Sequence, residues 1–218
     1  MRIGIPVYDG FDILDVTGPW EMFRWAGFEQ ELVAQTPGLI TCNGGMKVQV
    51  DQGFTDPAQP YDAIWVPGGD PAALNPLMYG SDRTYLDYLV RQAGTAKYVT
   101  SVCEGALLLA AAGLLDGYTI TTHWAFIPCF IERFPNVKLA DGHPRFWQDR
   151  NRLTGGGISS GLDEALALIQ ILAGTPAAET VQQMTQYYPD PPVSSQIPQT
   201  NSCPLPPLAP PSKATVEA

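Results

Sequence analysis

The sequence lacks long apolar runs and is poor in basic residues. No stretch of about 18 apolar residues occurs, and a membrane-spanning helix needs one. Asp9 and Asp12 fall where a signal peptide would be apolar. The 218 residues carry 12 Lys and Arg against 22 Asp and Glu, a net charge of −10, which repels a polyphosphate backbone. We therefore expect a soluble, cytoplasmic protein whose partners include neither a membrane nor nucleic acid.

Histidine and closely spaced cysteines are also scarce. The only histidines are His123 and His143. The chain has four cysteines, none in a CxxC pair: Cys42, Cys103, Cys129 and Cys203. This set is too sparse for a convincing Cys/His zinc pattern. We expect no metal, no cofactor, and four free thiols in a reducing compartment.

Strand-like and helix-like segments alternate along the chain. Apolar and β-branched runs predict strands at 2–8, 31–35, 47–50, 63–66, 97–102, 118–121, 145–148 and 152–154. Helical patterns cover the segment from the N-cap Thr17 to about Ala26, then 82–93, 106–112, 124–134, 160–173 and 176–187. This alternation predicts an α/β fold with a mostly parallel central sheet, helices on both faces, and sites at the carboxyl ends of the strands.

The composition changes after residue 188. Prolines crowd the stretch from Pro189 to Pro211, and large apolar residues become rare. Such a segment does not form a regular element, so it either wraps the surface or is partly disordered. We divide the chain into an α/β domain at 1–188 and a proline-rich tail at 189–218.

Cys103 lies at the change from strand to helix pattern. The β-branched run 97–102 precedes it, and Glu104 and Gly105 lead into an Ala/Leu-rich helix. Backbone N–H groups at a helix start stabilise a thiolate, so we expect a lowered pKa for Cys103 and a thiol presented to a cleft. The alternative is a buried structural cysteine, a common use of this residue.

Five sequence blocks occur in a characteristic order and spacing. They are Asp15-Val16-Thr17-Gly18-Pro19, Val66-Pro67-Gly68-Gly69, Thr100-Ser101-Val102-Cys103-Glu104-Gly105, Thr121-Thr122-His123-Trp124 and Leu153-Thr154-Gly155-Gly156-Gly157-Ile158. Together they resemble the DJ-1/PfpI (ThiJ/PfpI) superfamily over about residues 2–188, and most closely its isocyanide hydratase-like branch.

The resemblance implies a flavodoxin-like sandwich, a homodimer, and a nucleophile elbow at Cys103. It also implies a cofactor-independent lyase that converts small isocyanides to N-formamides. In that reading the Cys103 thiolate attacks the electrophilic carbon, and Asp15 matches the acid of the first βα loop, a general acid or base. The alternative for Asp15 is a carboxylate that only stabilises a helix N-terminus.

The same blocks suggest the remaining site residues. Backbone N–H groups near Gly68, Gly69 and Glu104 would form an oxyanion hole, or else an ordinary tight turn. Gly156 would let backbone pass close to the site. The Glu104 side chain departs from the hydratase pattern, in which a small hydroxyl residue follows the nucleophile. It either enters the pocket or turns away in the first helical turn, and we expect the second.

The block Thr122, His123 and Trp124 is a possible pocket wall, although His123 is equally suited to a structural hydrogen-bonded role. Other functions stay open. One is a ligand-sensing module, because similar domains form the sensor half of AraC-type regulators. Another is a stress protein that responds through Cys103 oxidation. Peptidase or glyoxalase-like activity is a further alternative, and the lack of a histidine directly after the cysteine argues against the peptidase.

Overall fold

The structure, a computed structural model, describes residues 1–54 and 60–208. Its strands are β1 (Arg2–Pro6), β2 (Glu29–Ala34), β3 (Gly38–Thr41), β4 (Lys47–Val50), β5 (Gln52–Gly53), β6 (Ala63–Val66), β7 (Tyr98–Ser101), β8 (Thr119–Ile120), β9 (Lys138–Leu139), β10 (Phe146–Asp149) and β11 (Arg152–Gly155). Its helices are α1 (Ile13–Trp25), α2 (Pro71–Tyr79), α3 (Thr84–Ala93), α4 (Gly105–Ala111), α5 (Ile127–Arg133), α6 (Ser160–Ala173) and α7 (Thr175–Met184), with a 3-10 turn at Trp124–Phe126. No helix among the described residues has the length and apolar character that crossing a membrane requires.

A seven-stranded sheet forms the centre, in the order β10-β11-β7-β6-β1-β2-β5. Every pair in it is parallel except β10 with β11. Helices α1, α6 and α7 pack together in one layer, and α2 and α3 pack with α4 in the other. The predicted flavodoxin-like α/β architecture is therefore confirmed. The carboxyl ends of β1, β6 and β7 meet at one edge, where the βα loops carry the candidate site.

The central strands are buried on both faces. All four residues of β6 are completely buried, including Trp65. Ile3 and Ile5 of β1 are equally inaccessible. Continuous apolar runs of this kind are what a parallel strand covered by two helix layers requires. The core thus holds the strand ends, and with them the site, in fixed positions.

Helix α1 begins earlier than the sequence suggested. Its N-cap is Asp12, whereas Thr17 lies inside the helix and its hydroxyl donates to the Ile13 carbonyl at 2.9 Å. The prediction of Thr17 as N-cap was wrong because Pro19 is tolerated within the helix. Pro19 has no N–H for the carbonyl of Asp15, four residues earlier. The indole Nε1 of Trp65 donates to that carbonyl instead, at 2.9 Å.

Four elements were missed: the helix α2, the strand β3 and the two-residue strands β5 and β9. Helix α2 starts with Pro71 after Asp70, whose carboxylate accepts the Ala72 N–H at 2.8 Å. An acidic N-cap followed by proline is a recognised helix start that the sequence contained. Strand β3 pairs antiparallel with β4, so the glycine-rich stretch between them is the turn of a hairpin.

The expectation of four free thiols was wrong for two of them. Cys129 on α5 and Cys203 form a disulfide, with their Cα atoms 4.6 Å apart. Cys42 and Cys103 are free and buried. The pair is separated by 74 residues, so local spacing carried no signal of it. The inference of a reducing compartment, which depended on free thiols, loses that support.

Residues 189–208, here called the tail segment, contain no helix or strand. Most of these residues are exposed, but Leu205 is buried in the core. The rest of the predicted tail, 209–218, lies outside the described residues. Where it is described, the tail segment lies against the body of the protein and is joined to it by the disulfide.

Candidate active site

Cys103 occupies a sharp turn between β7 and α4. Its φ angle is +58°, an uncommon value for a residue with a Cβ, and the surrounding backbone fixes it. The Cys103 N–H donates to the Gly156 carbonyl at 2.9 Å, and the Thr122 hydroxyl donates to the Cys103 carbonyl at 2.8 Å. The predicted nucleophile elbow is confirmed as a structural feature.

Asp15 lies in the first turn of α1 and is completely buried. Its Oδ2 accepts the Gly68 N–H at 2.9 Å, whereas its Oδ1 is buried without a hydrogen-bond partner among the described residues. Burial raises the pKa of Asp15 well above its usual value, and the nearby Glu104 carboxylate raises it further. The Gly68 N–H only partly offsets these effects. This carboxyl group therefore tends to hold a proton beside the thiol.

The Glu104 side chain turns into the site, contrary to expectation. It is 4% exposed, and a Cβ on Gly68 would collide with its carboxylate, so only glycine leaves it room. Burial raises the pKa of Glu104 to about 7, opposed by the Cys103 thiol and by the backbone N–H groups of Glu104 and Gly69. Helix α4 begins only at Gly105, so Glu104 precedes the first turn and its side chain folds back over the Gly68–Gly69 loop.

This position affects the predicted oxyanion hole. The Gly68 N–H already bonds Asp15, and the N–H groups of Gly69 and Glu104 interact with the Glu104 carboxylate. The structure thus brings together Gly68, Gly69, Glu104 and Cys103 as predicted. It also puts an ionisable side chain where a developing anion was expected to bind.

The expected fall in the pKa of Cys103 is not what the geometry gives. Burial raises the pKa of this thiol well above its ordinary value, and the Asp15 and Glu104 carboxylates raise it further. The sequence shows the helix start next to Cys103, but not the two acids that the fold brings to the sulfur. Protonation of these acids removes their share of the rise, because the repulsion between like charges then disappears, whereas the larger effect of burial remains.

Four possible metal-ligand groups cluster here. One ligand atom from each of Asp12, Asp15, Cys103 and Glu104 lies within 4.8 Å of the others. A thiolate with carboxylates is a donor set that a divalent cation accepts. Protons on the buried acids also relieve the repulsion, and the raised pKa values of Asp15 and Glu104 fit this second arrangement. The geometry of the cluster suits either a bound cation or protonated acids.

A cavity of about 430 Å³ lies beside the elbow, although Cys103, Asp15 and Glu104 are not among the described residues that line it. Its walls include Leu14, Thr122, His123, Trp124, Gly156, Gly157 and Ile158 together with Ile197 of the tail segment. Thr122 and Gly156 are the residues that hydrogen-bond the Cys103 backbone. The predicted pocket residues Thr122, His123 and Trp124 therefore share one cavity next to the Cys103 turn.

His123 has a structural role in this wall. Its Nδ1 accepts the Ala125 N–H at 3.2 Å and caps the 3-10 turn, and its ring lies 5.3 Å from the ring of Trp124. A Cβ on Gly157 would collide with the imidazole, so glycine leaves the ring its place. Burial lowers the pKa of His123, which keeps the ring neutral. Its Nδ1 is 3.9 Å from Glu104 Oε1, too far for a hydrogen bond.

Three contributors to this region were not found from the sequence. Asp12 could have been found, because it lies three residues before Asp15 and both acids fall at the start of α1. Glu164 on α6 is completely buried, and neither carboxyl oxygen has a hydrogen-bond partner among the described residues. Burial and the Asp15 charge raise its pKa well above the usual range. Ile197 was hidden by the polar, proline-rich composition around it.

A second cavity, of about 350 Å³, lies near the ends of β1 and β2. The hydroxyls of Tyr8 and Tyr85 lie there, but they donate to the carbonyls of Pro67 and Pro6. No cysteine or histidine is among the described residues that line it. The cavity beside Cys103 is therefore the better candidate for chemistry.

Comparison with known proteins agrees with this architecture. The sequence model of the DJ-1/PfpI family matches residues 1–170. The chain belongs to the DJ-1/PfpI family. It is 38% identical to an isonitrile hydratase of Pseudomonas putida over 92% of this chain and 84% of that protein. It is also 28% identical to the HTH-type transcriptional regulator GbdR of Pseudomonas aeruginosa over 85% of this chain, which spans half of that regulator.

Solved structures show the same fold. A ThiJ/PfpI family protein from Pseudomonas syringae superposes with a TM-score of 0.80 at 33% identity, over 88% of this chain and 77% of that one. Drosophila melanogaster DJ-1beta superposes with a TM-score of 0.74 at 19% identity, over 85% of this chain and 97% of that one. The second likeness concerns the fold alone.

Proposed function

We propose that this protein is an isocyanide hydratase-like lyase that converts a small isocyanide to its N-formamide. The observation that carries the proposal is the Asp15 carboxyl group, buried beside the thiol of the Cys103 elbow in surroundings that favour its protonated form. A thiolate and an adjacent neutral acid are what addition to an isocyanide carbon requires. The 38% identity to an isonitrile hydratase supports the same reaction.

In the first step, the Cys103 sulfur forms a bond to the terminal carbon of the isocyanide. That carbon takes the proton of Asp15, which leaves a thioimidate on the enzyme and a carboxylate at Asp15. The proton is available because burial raises the pKa of Asp15. Its Oδ2 stays bonded to the Gly68 N–H, which holds the acid in place.

In the second step, water adds across the carbon–nitrogen double bond, with hydroxyl on carbon and hydrogen on nitrogen. The carbon–sulfur bond then breaks, the thiolate leaves, and the hydroxyl proton passes to the Asp15 carboxylate. The product is the N-formamide, and both Cys103 and Asp15 return to their initial states. The sum is one isocyanide plus one water, and no external oxidant or reductant takes part.

The test is formamide production from a simple alkyl or aryl isocyanide, measured for the wild type, Cys103→Ala and the matched control Cys42→Ala. Both cysteines are buried and free, but only Cys103 adjoins the acids. We expect turnover in the wild type and in Cys42→Ala, and a loss of at least about 10³-fold in Cys103→Ala. A wild type that binds isocyanides without releasing formamide would contradict the proposal and favour the ligand-sensing alternative, in line with the similarity to a regulator.

A further inference from the structure

The tail segment is fixed to α5 over a short stretch near its end. Cys203 is bonded to Cys129, and Leu205 is 4% exposed within the core. The carbonyls of Leu205 and Pro206 accept hydrogen bonds from Arg133 Nη2 at 3.4 and 2.9 Å. Arg133 lies one turn after Cys129 on the same helix. The anchor therefore consists of residues 203–206 on one face of α5.

Before this anchor, the tail segment lies along the surface and reaches the active-site cavity. Residues 189–199 are exposed and contain no helix or strand. Ile197 is the residue of this stretch that lines the cavity. Leu14 and Ile158 line it as well and, like Ile197, are large apolar residues that are partly exposed. Exposed polar residues, His143, Arg145 and Ser159, line the cavity beside these apolar ones, so its wall is mixed and the tail segment supplies one of its apolar parts.

We propose that Ile197 is a specificity-determining residue, held at the mouth of the cavity by the Cys129–Cys203 disulfide, and that it limits the size of molecules that reach Cys103. This inference deepens the proposed function and rests on it only in taking Cys103 as the reactive thiol. The apolar side chains of Leu14, Ile158 and Ile197 suit the alkyl or aryl group of a substrate, because moving such a group out of water is favourable.

The disulfide matters because of the short distance along the chain. Ile197 lies six positions before Cys203, and six residues span at most about 22 Å when fully extended. An intact anchor thus confines Ile197 near the cavity. When a dithiol reduces the bond, the sulfur–sulfur bond breaks, Cys129 and Cys203 take up two electrons and two protons, and the reductant becomes a cyclic disulfide. The end of the tail segment is then no longer tethered covalently.

Alkylation of Cys103 tests the inference without any hydratase assay. In a Cys42→Ala background, rates of reaction with a small reagent, iodoacetamide, and a bulky one, N-phenylmaleimide, are measured at the Cys103 peptide by mass spectrometry. The variants are Ile197→Ala, the double variant Cys129→Ser with Cys203→Ser, and the control Val193→Ala. Val193 belongs to the same segment, is 75% exposed and does not line the cavity.

We expect Ile197→Ala to raise the bulky-reagent rate severalfold, and loss of the disulfide to raise it about tenfold. The small-reagent rate should change by less than about twofold, since a small molecule passes in either state. Val193→Ala should change neither rate.

An unchanged ratio of bulky to small rates in Ile197→Ala would overturn the inference. This holds even if the serine variants show a change, because that change would then come from disturbance of α5. The Ile197→Ala protein keeps its disulfide, and wild-type protein reduced with dithiothreitol and then reoxidised supplies a reversible check. Hydratase turnover together with an unchanged ratio of bulky to small alkylation rates would contradict only the role of Ile197. A changed ratio without hydratase turnover would contradict only the proposed reaction.

Discussion

The Cys103 elbow and the tail segment differ in what holds them in place. At the elbow, nearly every group is buried, and the Cys103 backbone is fixed by hydrogen bonds to the Gly156 carbonyl and from the Thr122 hydroxyl. The tail segment is largely exposed and depends on one covalent bond and a few contacts with α5. The proposed reactive group thus depends on neighbouring strand ends, whereas the proposed control of access depends on a bond between residues 74 positions apart in the chain.

The largest expected effect comes from a substitution beside Cys103 that leaves the tail segment unchanged. Asp15→Asn removes the proton donor but keeps an oxygen that can accept the Gly68 N–H. We expect kcat/KM for isocyanide hydration to fall by about 10²–10⁴-fold, the usual contribution of a general acid, with an unchanged fold. Steady-state kinetics and circular dichroism measure both quantities.

Asp87→Asn is the control for this change, because Asp87 is exposed on α3 and its ion pair with Arg83 contributes little to stability. An Asp15→Asn enzyme as active as the wild type would show that the proton reaches the substrate from another group, with Glu104 as the first candidate.

A smaller effect concerns the influence of the Glu104 charge on the pKa of Cys103. The Glu104 carboxylate raises the pKa of Cys103 when it is ionised, and its own pKa is about 7. Raising the pH therefore ionises Glu104 and opposes thiolate formation. Glu104→Gln removes this charge, so the Cys103 thiol should titrate at lower pH than in the wild type. The difference in thiolate absorbance between each protein and its Cys103→Ala counterpart measures the midpoint.

The exposed Glu179 on α7 supplies the matched change, Glu179→Gln, which should leave the midpoint where it is. Identical midpoints in the wild type and Glu104→Gln would mean that the Glu104 carboxylate does not act on the sulfur in solution.

The smallest effect concerns stability. The pKa of Glu164 is raised in the folded state by burial, so the folded protein binds a proton that the unfolded chain releases above the ordinary glutamate pKa of about 4.3. Wild-type stability therefore falls as pH rises above that value. Glu164→Gln should stabilise the protein at neutral pH by about 1 kcal/mol and have less effect in acid. Denaturant unfolding at several pH values tests this, and a difference independent of pH would contradict it.

Much of the elbow could be predicted because its signals are local. The apolar run of β6 and the strand-to-helix change at Cys103 both lie in contiguous sequence, and the parallel sheet brings their ends together. The inward turn of Glu104 could not be read in this way. It depends on the space above Gly68, which exists only once β6 and β7 are paired.

The prediction of a lowered pKa for Cys103 was wrong for the same reason. The sequence shows a helix start next to the cysteine, but the packing of α1 against the sheet brings Asp15 to the sulfur. The disulfide was equally invisible, because neither Cys129 nor Cys203 has a motif around it and their proximity results from the whole path of the chain between them.

The bond between the Trp65 indole and the Asp15 carbonyl has an evolutionary consequence. Pro19 supplies no N–H to this carbonyl within α1, and the indole N–H of Trp65, on β6, bonds it instead. A residue with an N–H at position 19 would compete with the indole for that oxygen, and the loss of the tryptophan would leave the oxygen unsatisfied. Among relatives, positions 19 and 65 should therefore change together, so that the backbone of the acid keeps a single partner.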